Sequence, residues 1–508
     1  MNAKLTITAN LLAATLLTGC GGGGGGGGGS TPAPVAYFNV DFIKLYAMSN
    51  STTTNCQIFG YDDAENPGSK VIGYEATSDS DEYSFSIVIH NADGSVAHTF
   101  TSANWGASST HYRFRQSLVP SDGYVSFVRK LSAGGVDSFD ATTFSKEMLP
   151  TNFDLAVRRT TASGGSCILA NTISSVDRNS YIANASTAQQ YYYGFNTYNQ
   201  DLSDLTGYYA NLGTNSTPLS FSTLSNKQVL AVRYGNSSDT INYLQAFKIL
   251  SLSELSDYSF SSPIVLDDVT YSDLDWTAPT DVDTLSEANM YIYQQGTGAL
   301  LWQPLSANDE SYSYSSQISD DNYFVNMAGI RNDWNFEHTE AMTTPDISHD
   351  SSTSMSSVNL PASEALSIES CSTSDLGTCL VTSSDPTAHD DTIQRLLVTV
   401  SAGGNSATQV IYSAYNTSVP VMSFDDSIDG LWSGNTAAKY EISLLHTDAD
   451  DLEEAFTFGH LNAYPLTSGG INSVDFADRL PLLSSVQQQE AYQDELKYQP
   501  HTWLSASF

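Results

Sequence analysis

Tyr-Ser-Phe-Ser-Ile-Val-Ile-His at residues 83–90, Asn-Ala-Asp-Gly at 91–94 and Ser-Val-Ala-His-Thr-Phe at 95–100 decide the fold class of this chain. In the first and third segments, side chains that favour burial alternate with polar ones, which is the period of a half-buried β-strand. The glycine-containing segment between them is typical of a hairpin turn. Residues 83–100 therefore predict a β-hairpin.

The same pattern recurs in the second half of the chain. Alternating segments separated by glycine-containing turns lie at 289–293 and 299–302 and at 395–401 and 408–414, and further alternation follows at 312–314 and 323–327. The 29 tyrosines and 21 phenylalanines supply the rings that strands favour. Because helical stretches do not alternate with these strands, the sequence predicts an all-β protein. We expect several β-sandwich (immunoglobulin-like) or related β-domains in tandem.

One short helix is predicted near the C-terminus. Ser485 is a suitable N-cap residue, and Gln488 stands three positions later, at the spacing of a capping box. Residues 489–499 continue with good helix formers until Pro500. We expect this helix to pack on the last domain.

The charge balance excludes one class of partner. Only 15% of the 508 residues are charged, and 56 acidic residues against 19 basic ones give a net charge of −37. Nucleic acid repels such a chain, so we expect no nucleic-acid partner. The acidity itself has two explanations that the sequence leaves open, which are solubility in salty surroundings and calcium coordination by carboxylate-rich loops.

The N-terminus carries a motif for membrane attachment. Leu17-Thr18-Gly19-Cys20 follows a short positive region and an apolar stretch at 5–17, and nine glycines come directly after it at 21–29. This segment resembles the lipobox of bacterial lipoproteins. The resemblance implies that residues 1–19 are a signal peptide and that Cys20 is acylated, palmitate included, which anchors the protein in a lipid bilayer.

The resemblance also implies a location. In Gram-negative lipoproteins an Asp directly after the cysteine commonly retains the product at the inner membrane, and Gly21 stands at that position here. The implied location is the outer membrane, with the cell surface favoured over the periplasmic face. Residues 20–34 would then form a flexible tether with a reach of ~20 Å.

Changes in composition divide the rest of the chain. Breaks lie near 148–152, within the Asp-rich stretch 266–286 and in the Ser- and Thr-rich stretch 351–363. The predicted β-domains are 35–150, 151–270, 285–350 and 365–508, the last of which includes the C-terminal helix.

The cysteines favour disulfides. If Cys20 is acylated, four of the five cysteines remain, an even number. Cys371 and Cys379 bracket a polar, turn-like stretch and suit a local bridge, and Cys56 would then pair with Cys167. Oxidised thiols agree with export from the cytoplasm. A metal site is the alternative, but the chain has no Cys-x-x-Cys motif and no histidine close in sequence to these cysteines.

Known catalytic motifs are absent from the sequence. It contains no G-x-S-x-G, no H-E-x-x-H and no Walker-type glycine loop. His338 lies between Glu337 and Glu340, with His349 and Asp350 downstream. These groups suit metal binding or acid–base catalysis, although a polar loop of a β-domain yields the same cluster without a function.

A second acidic segment is a candidate cation site. Asp448, Asp450, Asp451 and Glu453 stand at near-alternate positions and are the candidate ligands of a structural Ca²⁺. The segment lacks the glycine at position six and the glutamate at position twelve of an EF-hand loop, so that family is not implied. We expect no other cofactor.

Aromatic side chains are candidates for sugar binding, because an aromatic ring stacks on the face of a pyranose. Trp334 and Trp432 each stand beside residues typical of loops, and Tyr192 lies in a run of three tyrosines, so these three are the predicted ligand-binding residues. The alternative is that the rings belong to the core, as most aromatic residues of β proteins do.

These observations give a leading hypothesis and two alternatives. The leading hypothesis is a lipid-anchored envelope or cell-surface protein with a non-enzymatic interaction, adhesion or structural role. It is favoured by the tether, by the Tyr-, Ser-, Thr- and Asn-rich body and by the missing catalytic motifs. Its candidate partners are a surface protein or a glycan. The first alternative is a glycan-binding lipoprotein of a polysaccharide-uptake system. The second is a glycan hydrolase that uses a carboxylate pair. The sequence does not decide whether the protein is an enzyme, and it favours a non-enzymatic role.

Overall fold

A computed structural model describes most of the chain beyond residue 34. The described residues are 35–61, 68–77, 83–106, 108–133, 136–159, 165–170, 175–184, 191–198, 200, 208–210, 218–237, 240–269, 271–305, 311–342, 344–352, 366–382, 392–432, 437–447, 452–459 and 482–507. The predicted signal peptide, Cys20 and the tether lie outside these residues. So do Asp448, Asp450 and Asp451 of the predicted calcium site.

Strands dominate the first half of the described chain. They are β1 (Tyr37–Ser49), β2 (Ile58–Tyr61), β3 (Ser69–Glu75), β4 (Tyr83–His90), β5 (Val96–Phe100), β6 (His111–Arg115), β7 (Tyr124–Ala133), β8 (Val136–Ser145), β9 (Asn152–Arg159), β10 (Ser175–Ser180), β11 (Tyr191–Asn196), β12 (Tyr209–Ala210), β13 (Leu219–Leu224), β14 (Val229–Ser237), β15 (Thr240–Leu250) and β16 (Asp267–Asp268).

Strands also dominate the second half, which confirms the all-β prediction. They are β17 (Tyr271–Thr277), β18 (Thr284–Gln294), β19 (Gly298–Pro304), β20 (Ser311–Tyr314), β21 (Tyr323–Arg331), β22 (Trp334–Ala341), β23 (His349–Asp350), β24 (Leu366–Ser370), β25 (Thr378–Thr382), β26 (Thr392–Ala402), β27 (Asn405–Ala414), β28 (Ser418–Pro420), β29 (Ala437–Thr447), β30 (Leu482–Leu483) and β31 (His501–Ser507).

The described helices are short. They are α1 (Ser102–Trp105), α2 (Leu252–Leu255), α3 (Asp426–Trp432), α4 (Leu452–Gly459) and α5 (Val486–Leu496), with 3₁₀ turns at Gln116–Leu118 and Asp320–Asn322. Helix α5 confirms the predicted C-terminal helix. The side chain of Ser485 accepts a hydrogen bond from the Gln488 backbone N–H at 3.1 Å, and Gln488 Oε1 accepts one from the Ser485 N–H at 2.9 Å, which completes the capping box. In the described part of the chain, no helix is both long enough and apolar enough to cross a membrane.

The predicted hairpins are present. Strand β4 pairs with β5, β18 with β19 and β26 with β27, all antiparallel. Gly94 closes the first of these turns with φ of +81°, a conformation that disfavours other residues. A side chain at this position would also meet the Val421 carbonyl oxygen at 2.9 Å, so the turn requires glycine for two reasons.

A twelve-stranded sheet organises the described chain. Its strand order is β19-β18-β21-β22-β31-β29-β26-β27-β8-β7-β4-β5, and all neighbouring pairs are antiparallel except β27 and β8. The predicted segments 35–150, 285–350 and 365–508 each contribute strands to it. Separate sheets are formed by β2-β3-β1-β9-β30 with β6, by β12-β11-β14-β15-β16, by β20-β17-β23, by β24-β25-β28 and by β10-β13.

Strand β26 in the middle of the large sheet has buried residues on both faces. On β26, Leu396 and Val398 belong to one buried cluster, the first core, which also contains Trp302 and Leu504. Leu397 points to the other face and belongs to a second core. Because successive residues of a strand face opposite ways, a continuous apolar run here serves two cores at once.

Both predicted disulfides are formed. Cys56 is bonded to Cys167, with 5.6 Å between the Cα atoms, and Cys371 is bonded to Cys379, with 5.7 Å between them. The first bridge spans 111 residues and fastens the segment 165–170 beside β3. Closing a loop of this length removes conformational entropy from the unfolded chain, which stabilises the fold by about 4–5 kcal/mol in the chain-entropy model.

Candidate functional site

The three aromatic residues predicted to bind a ligand lie in the first core. Trp334 is 1% exposed, Trp432 is 2% exposed and Tyr192 is 7% exposed. Trp334 follows a two-residue turn in which Asn332 and Asp333 have φ of +50° and +68°, so it begins β22 instead of lying in a loop. Rings buried this deeply offer no stacking face to a sugar, and the structure therefore supports the core alternative for all three.

Three residues of the predicted histidine–carboxylate cluster come together beneath the surface, whereas Glu337 faces the opposite side of the sheet. His349 Nε2 lies 3.1 Å from Glu340 Oε1, and His338 Nε2 lies 3.8 Å from Glu340 Oε2. We call His338, Glu340 and His349 the Glu340 cluster. Burial raises the pKa of Glu340, but the hydrogen bond with His349 and the nearby His338 imidazole outweigh it and hold that pKa well below its usual range.

The Glu340 cluster joins three elements. His338 lies on β22, His349 lies on β23, and His338 Nδ1 makes a 2.8 Å hydrogen bond with Thr502 Oγ1 on β31. The three side chains of the cluster are only 9–15% exposed. Among the described residues, no group of three or more His, Cys, Asp and Glu side chains is placed to hold a metal ion. The arrangement is therefore more typical of a buried polar network that links β22, β23 and β31 than of an open reaction site.

The calcium prediction remains a prediction. Of its four residues, Glu453 alone lies among the described ones, where it is exposed in the first turn of α4.

An open groove lies along β31, on the face of the sheet opposite the Glu340 cluster. Its volume is about 500 Å³. We call it the β31 groove, and its lining residues are Ala328, Asn335, Phe336, Glu337, Arg395, Glu441, Ser443, Gln493, Leu496, Trp503, Ser505, Ala506 and Ser507. This volume is within the range of small-ligand sites.

Strand register explains why the groove exists. Ser505 on β31 lies between Asn335 of β22 and Ser443 of β29, so three short side chains stand in a row across the sheet. The next row toward the start of β31 contains Trp503, opposite Glu337. Short side chains beside a large ring leave a trough in the sheet surface.

Helix α5 closes one end of the groove. It contributes Gln493 and Leu496, and the Leu496 carbonyl accepts a 2.6 Å hydrogen bond from Thr339 Oγ1 on β22. Thr339 also receives a 2.8 Å hydrogen bond from Asn326 Nδ2. The end of the helix is therefore fixed to the sheet by buried polar contacts.

Trp503 is the large aromatic side chain of the groove. It is partly exposed, and its ring packs against Phe456 of α4 with 5.1 Å between centroids. Contact on one side holds the ring in place and leaves part of it open to the groove. Sequence reasoning missed this residue. The available signal was the alternation of β31, which sets Trp503, Ser505 and Ser507 on one face.

The charged side chains of the groove form a network. Arg395 Nη1 lies 3.0 Å from Glu441 Oε2, and Lys439 Nζ lies 2.8 Å from Glu441 Oε1. Burial raises the pKa of Glu441, but the hydrogen bonds and charges of Lys439 and Arg395 outweigh it and lower that pKa. Glu441 is therefore a carboxylate shared by two cations.

The two carboxylates of the groove, Glu337 and Glu441, stand at different places along it. Glu337 faces Trp503 and Glu441 faces Ser507, so they are separated by two strand spacings and by four residues along β31. Standard strand geometry places their Cα atoms roughly 16 Å apart. Both oxygens of Glu441 are paired with cations, so the two carboxylates have different environments.

No protein-family model matches this chain, and no curated protein matches it.

Proposed function

We propose that this protein is a lipid-anchored envelope protein that binds a glycan in the β31 groove without cleaving it. The observation that carries the proposal is the partly exposed Trp503 ring among short polar side chains in an open groove of about 500 Å³. This combination distinguishes the groove from the aromatic residues that the sequence suggested, which are buried.

Sugar chemistry fits the groove. A pyranose presents a face of C–H groups to an aromatic ring and a rim of hydroxyls that both donate and accept hydrogen bonds. The side-chain amides of Asn335 and Gln493 each have an NH2 donor and a carbonyl acceptor, and Ser443 and Ser505 supply hydroxyls. The groove follows β31, so it suits a chain of sugars better than a compact ligand. These features support the glycan-binding alternative over an interaction role of unspecified chemistry.

The membrane anchor is part of the same proposal. Cys20 would carry the lipid, and residues 20–34 would let the folded body reach a glycan beyond the outer-membrane surface. The two disulfides support a location outside the cytoplasm, where thiols oxidise. Radiolabelled palmitate incorporated by the wild type and not by Cys20→Ser would support the anchor. Protease digestion of intact cells that leaves the protein uncut would contradict the cell-surface location.

The binding test compares two partly exposed aromatic residues in the full chain, purified in detergent. A panel of neutral and acidic polysaccharides is screened, and affinities for the hits are measured by calorimetry. We expect Trp503→Ala to weaken binding at least about tenfold, because loss of an aromatic anchor costs about 1–3 kcal/mol. Phe260, 57% exposed in the turn at 259–262 and outside the groove, supplies the matched control.

Three results would count against the proposal. They are a panel without a hit, equal weakening by Phe260→Ala and Trp503→Ala, and release of reducing sugar from the bound polysaccharide, which would favour the hydrolase alternative instead.

A further inference from the structure

Glu441 occupies an unusual place in the β31 groove, because both nearby cations converge on it. Arg395 approaches Oε2 at 3.0 Å and Lys439 approaches Oε1 at 2.8 Å. The Arg395 side chain is only 10% exposed, whereas that of Lys439 is 51% exposed. The buried cation is thus fixed by the carboxylate, and the exposed one is drawn to the same group.

The consequence is a groove without net charge. Among the lining residues Arg395 is positive and Glu337 and Glu441 are negative, and Lys439, which is paired with Glu441 beside the groove, balances the charge. An acidic sugar is bound best by an exposed arginine that can use two N–H groups at once. Here the Arg395 side chain is only 10% exposed and donates through Nη1 to Glu441, and the chain as a whole carries a charge of −37. An anionic ligand therefore gains little in the groove and is repelled at long range.

We propose that Glu441 determines the ligand class of the β31 groove, so that uncharged glycans bind and glycans bearing carboxylates are rejected. This inference rests on the proposed glycan binding and deepens it. Glu441 acts as a specificity residue through the two cations that it pairs with. Because Arg395 and Lys439 are already paired with Glu441, the groove selects against acidic ligands.

The variant Glu441→Gln tests this inference. Glutamine has nearly the same shape but no charge, so Arg395 and Lys439 would outnumber Glu337 and the groove would become positive. The probes are cello-, malto- and manno-oligosaccharides, each beside its C6-oxidised uronic-acid form, because the two members of a pair differ only at C6, where a carboxylate replaces the hydroxymethyl group. The protein is the full chain in detergent, and the affinities are measured by calorimetry at 50 and 500 mM salt.

We expect the wild type to prefer the neutral member of a pair at least about tenfold, with little dependence on salt. Glu441→Gln should reduce or reverse that preference by about tenfold or more, and its new affinity for the acidic member should fall at 500 mM salt. Lys439→Gln is the matched control. It removes a cation but leaves the Arg395–Glu441 pair, so it should gain no affinity for the acidic member.

The outcomes separate the two proposals. If no oligosaccharide of either kind binds the wild type, glycan binding itself fails. If the wild type binds the acidic member as well as the neutral one, or if folded Glu441→Gln keeps the wild-type preference, the role of Glu441 is overturned while glycan binding stands. If Glu441→Gln does not fold, the wild type still decides, since stronger binding of the acidic member at 50 mM salt would overturn the inference.

Discussion

The Glu340 cluster and the β31 groove lie on opposite faces of β22 and its neighbour β31, yet one is closed and the other is open. Glu337 and His338 are neighbours on β22, and Thr502 and Trp503 are neighbours on β31. His338 and Thr502 point to one face, where they form a buried hydrogen bond with each other. Glu337 and Trp503 line the groove on the other face.

The difference shows that residue type alone does not mark a site. The Glu340 cluster has the chemistry expected of a catalytic centre, but its side chains are 9–15% exposed. The groove has ordinary chemistry and is open. Because successive residues of a strand face opposite ways, a shift of one position moves a side chain from a structural role to a ligand-facing one. We therefore expect changes in the Glu340 cluster to affect stability, and changes in the groove to affect binding.

The largest expected effect is that of Glu340→Ala. It removes the carboxylate between two imidazoles and leaves the hydrogen bond of His349 unmade inside the protein. Breaking a buried charged network in this way should lower the free energy of unfolding by about 3 kcal/mol. Glu337→Ala, three positions earlier on the open face, is the control and should cost less than about 1 kcal/mol. Urea denaturation measures both, and equal losses would remove the distinction between the two faces.

The acid dependence of stability provides a second test of the Glu340 cluster. The pKa of Glu340 is lower in the folded protein than its ordinary value of 4.5, despite burial, because His349 hydrogen-bonds to the carboxylate and the His338 imidazole lies beside it. Its contribution to stability is therefore present above pH 4.5 and is lost as the pH falls below that value. Between pH 5 and pH 3, we expect the wild type to lose about 2 kcal/mol more than Glu340→Gln. Parallel stability curves for the two proteins would contradict this assignment.

Local features of the fold were predictable from sequence, and distant ones were not. The hairpin β4–β5 and the capped helix α5 are specified by neighbouring residues, through alternation, turn glycine and capping box. The parallel pairing of β8 with β27 joins residues 138–144 to 406–412, and no local pattern identifies such a partner. Strand partners of this kind are set by the packing of the whole chain.

The candidate site was predictable only in part, for a related reason. The sequence correctly suggested that His338, Glu340 and His349 have a common environment, but it could not show that the environment is buried. It pointed to Trp334 because Asn335, a residue typical of loops, stands beside it, although the turn before Trp334 is tight and Trp334 begins a strand. The sequence around Trp503 did not show that short side chains of β22 and β29 lie near it, because those strands are distant in sequence.

The helix that closes the groove should respond to pH in the opposite direction to the Glu340 cluster. Asp494 of α5 is 4% exposed and accepts a 2.9 Å hydrogen bond from the Ala299 N–H. Burial raises its pKa to about 7, although that hydrogen bond and the charges of Lys227 and Lys497 oppose the rise. A raised pKa means that the folded state holds the proton more tightly. The contribution to stability is therefore present below the ordinary value of 3.8 and is lost as the pH rises through about 7.

Asp494→Asn keeps an oxygen for the Ala299 N–H and removes the ionisation. Between pH 5 and pH 8, the wild type should lose about 2–3 kcal/mol relative to this variant. Other buried carboxylates, such as Asp154 with its pKa also raised to about 7 by burial beside Asp41, are common to both proteins and cancel in the difference. Urea denaturation across this pH range provides the measurement. A difference that does not change with pH would show that Asp494 does not ionise in this range.

The smallest expected effect on stability, and the sharpest contrast between the two faces, comes from Ser505→Leu. Ser505 is partly exposed on the groove floor, so leucine extends into open space and should change the free energy of unfolding by no more than about 0.5 kcal/mol. The added side chain nevertheless fills the trough between Asn335 and Ser443. Glycan binding should therefore be lost from a protein as stable as the wild type. Thr502→Val, one position from Trp503 and directed to the other face, should do the reverse: it removes a hydrogen bond of His338 and lowers stability by about 1 kcal/mol while leaving glycan affinity unchanged. If Ser505→Leu bound glycan normally, the ligand would not lie along β31.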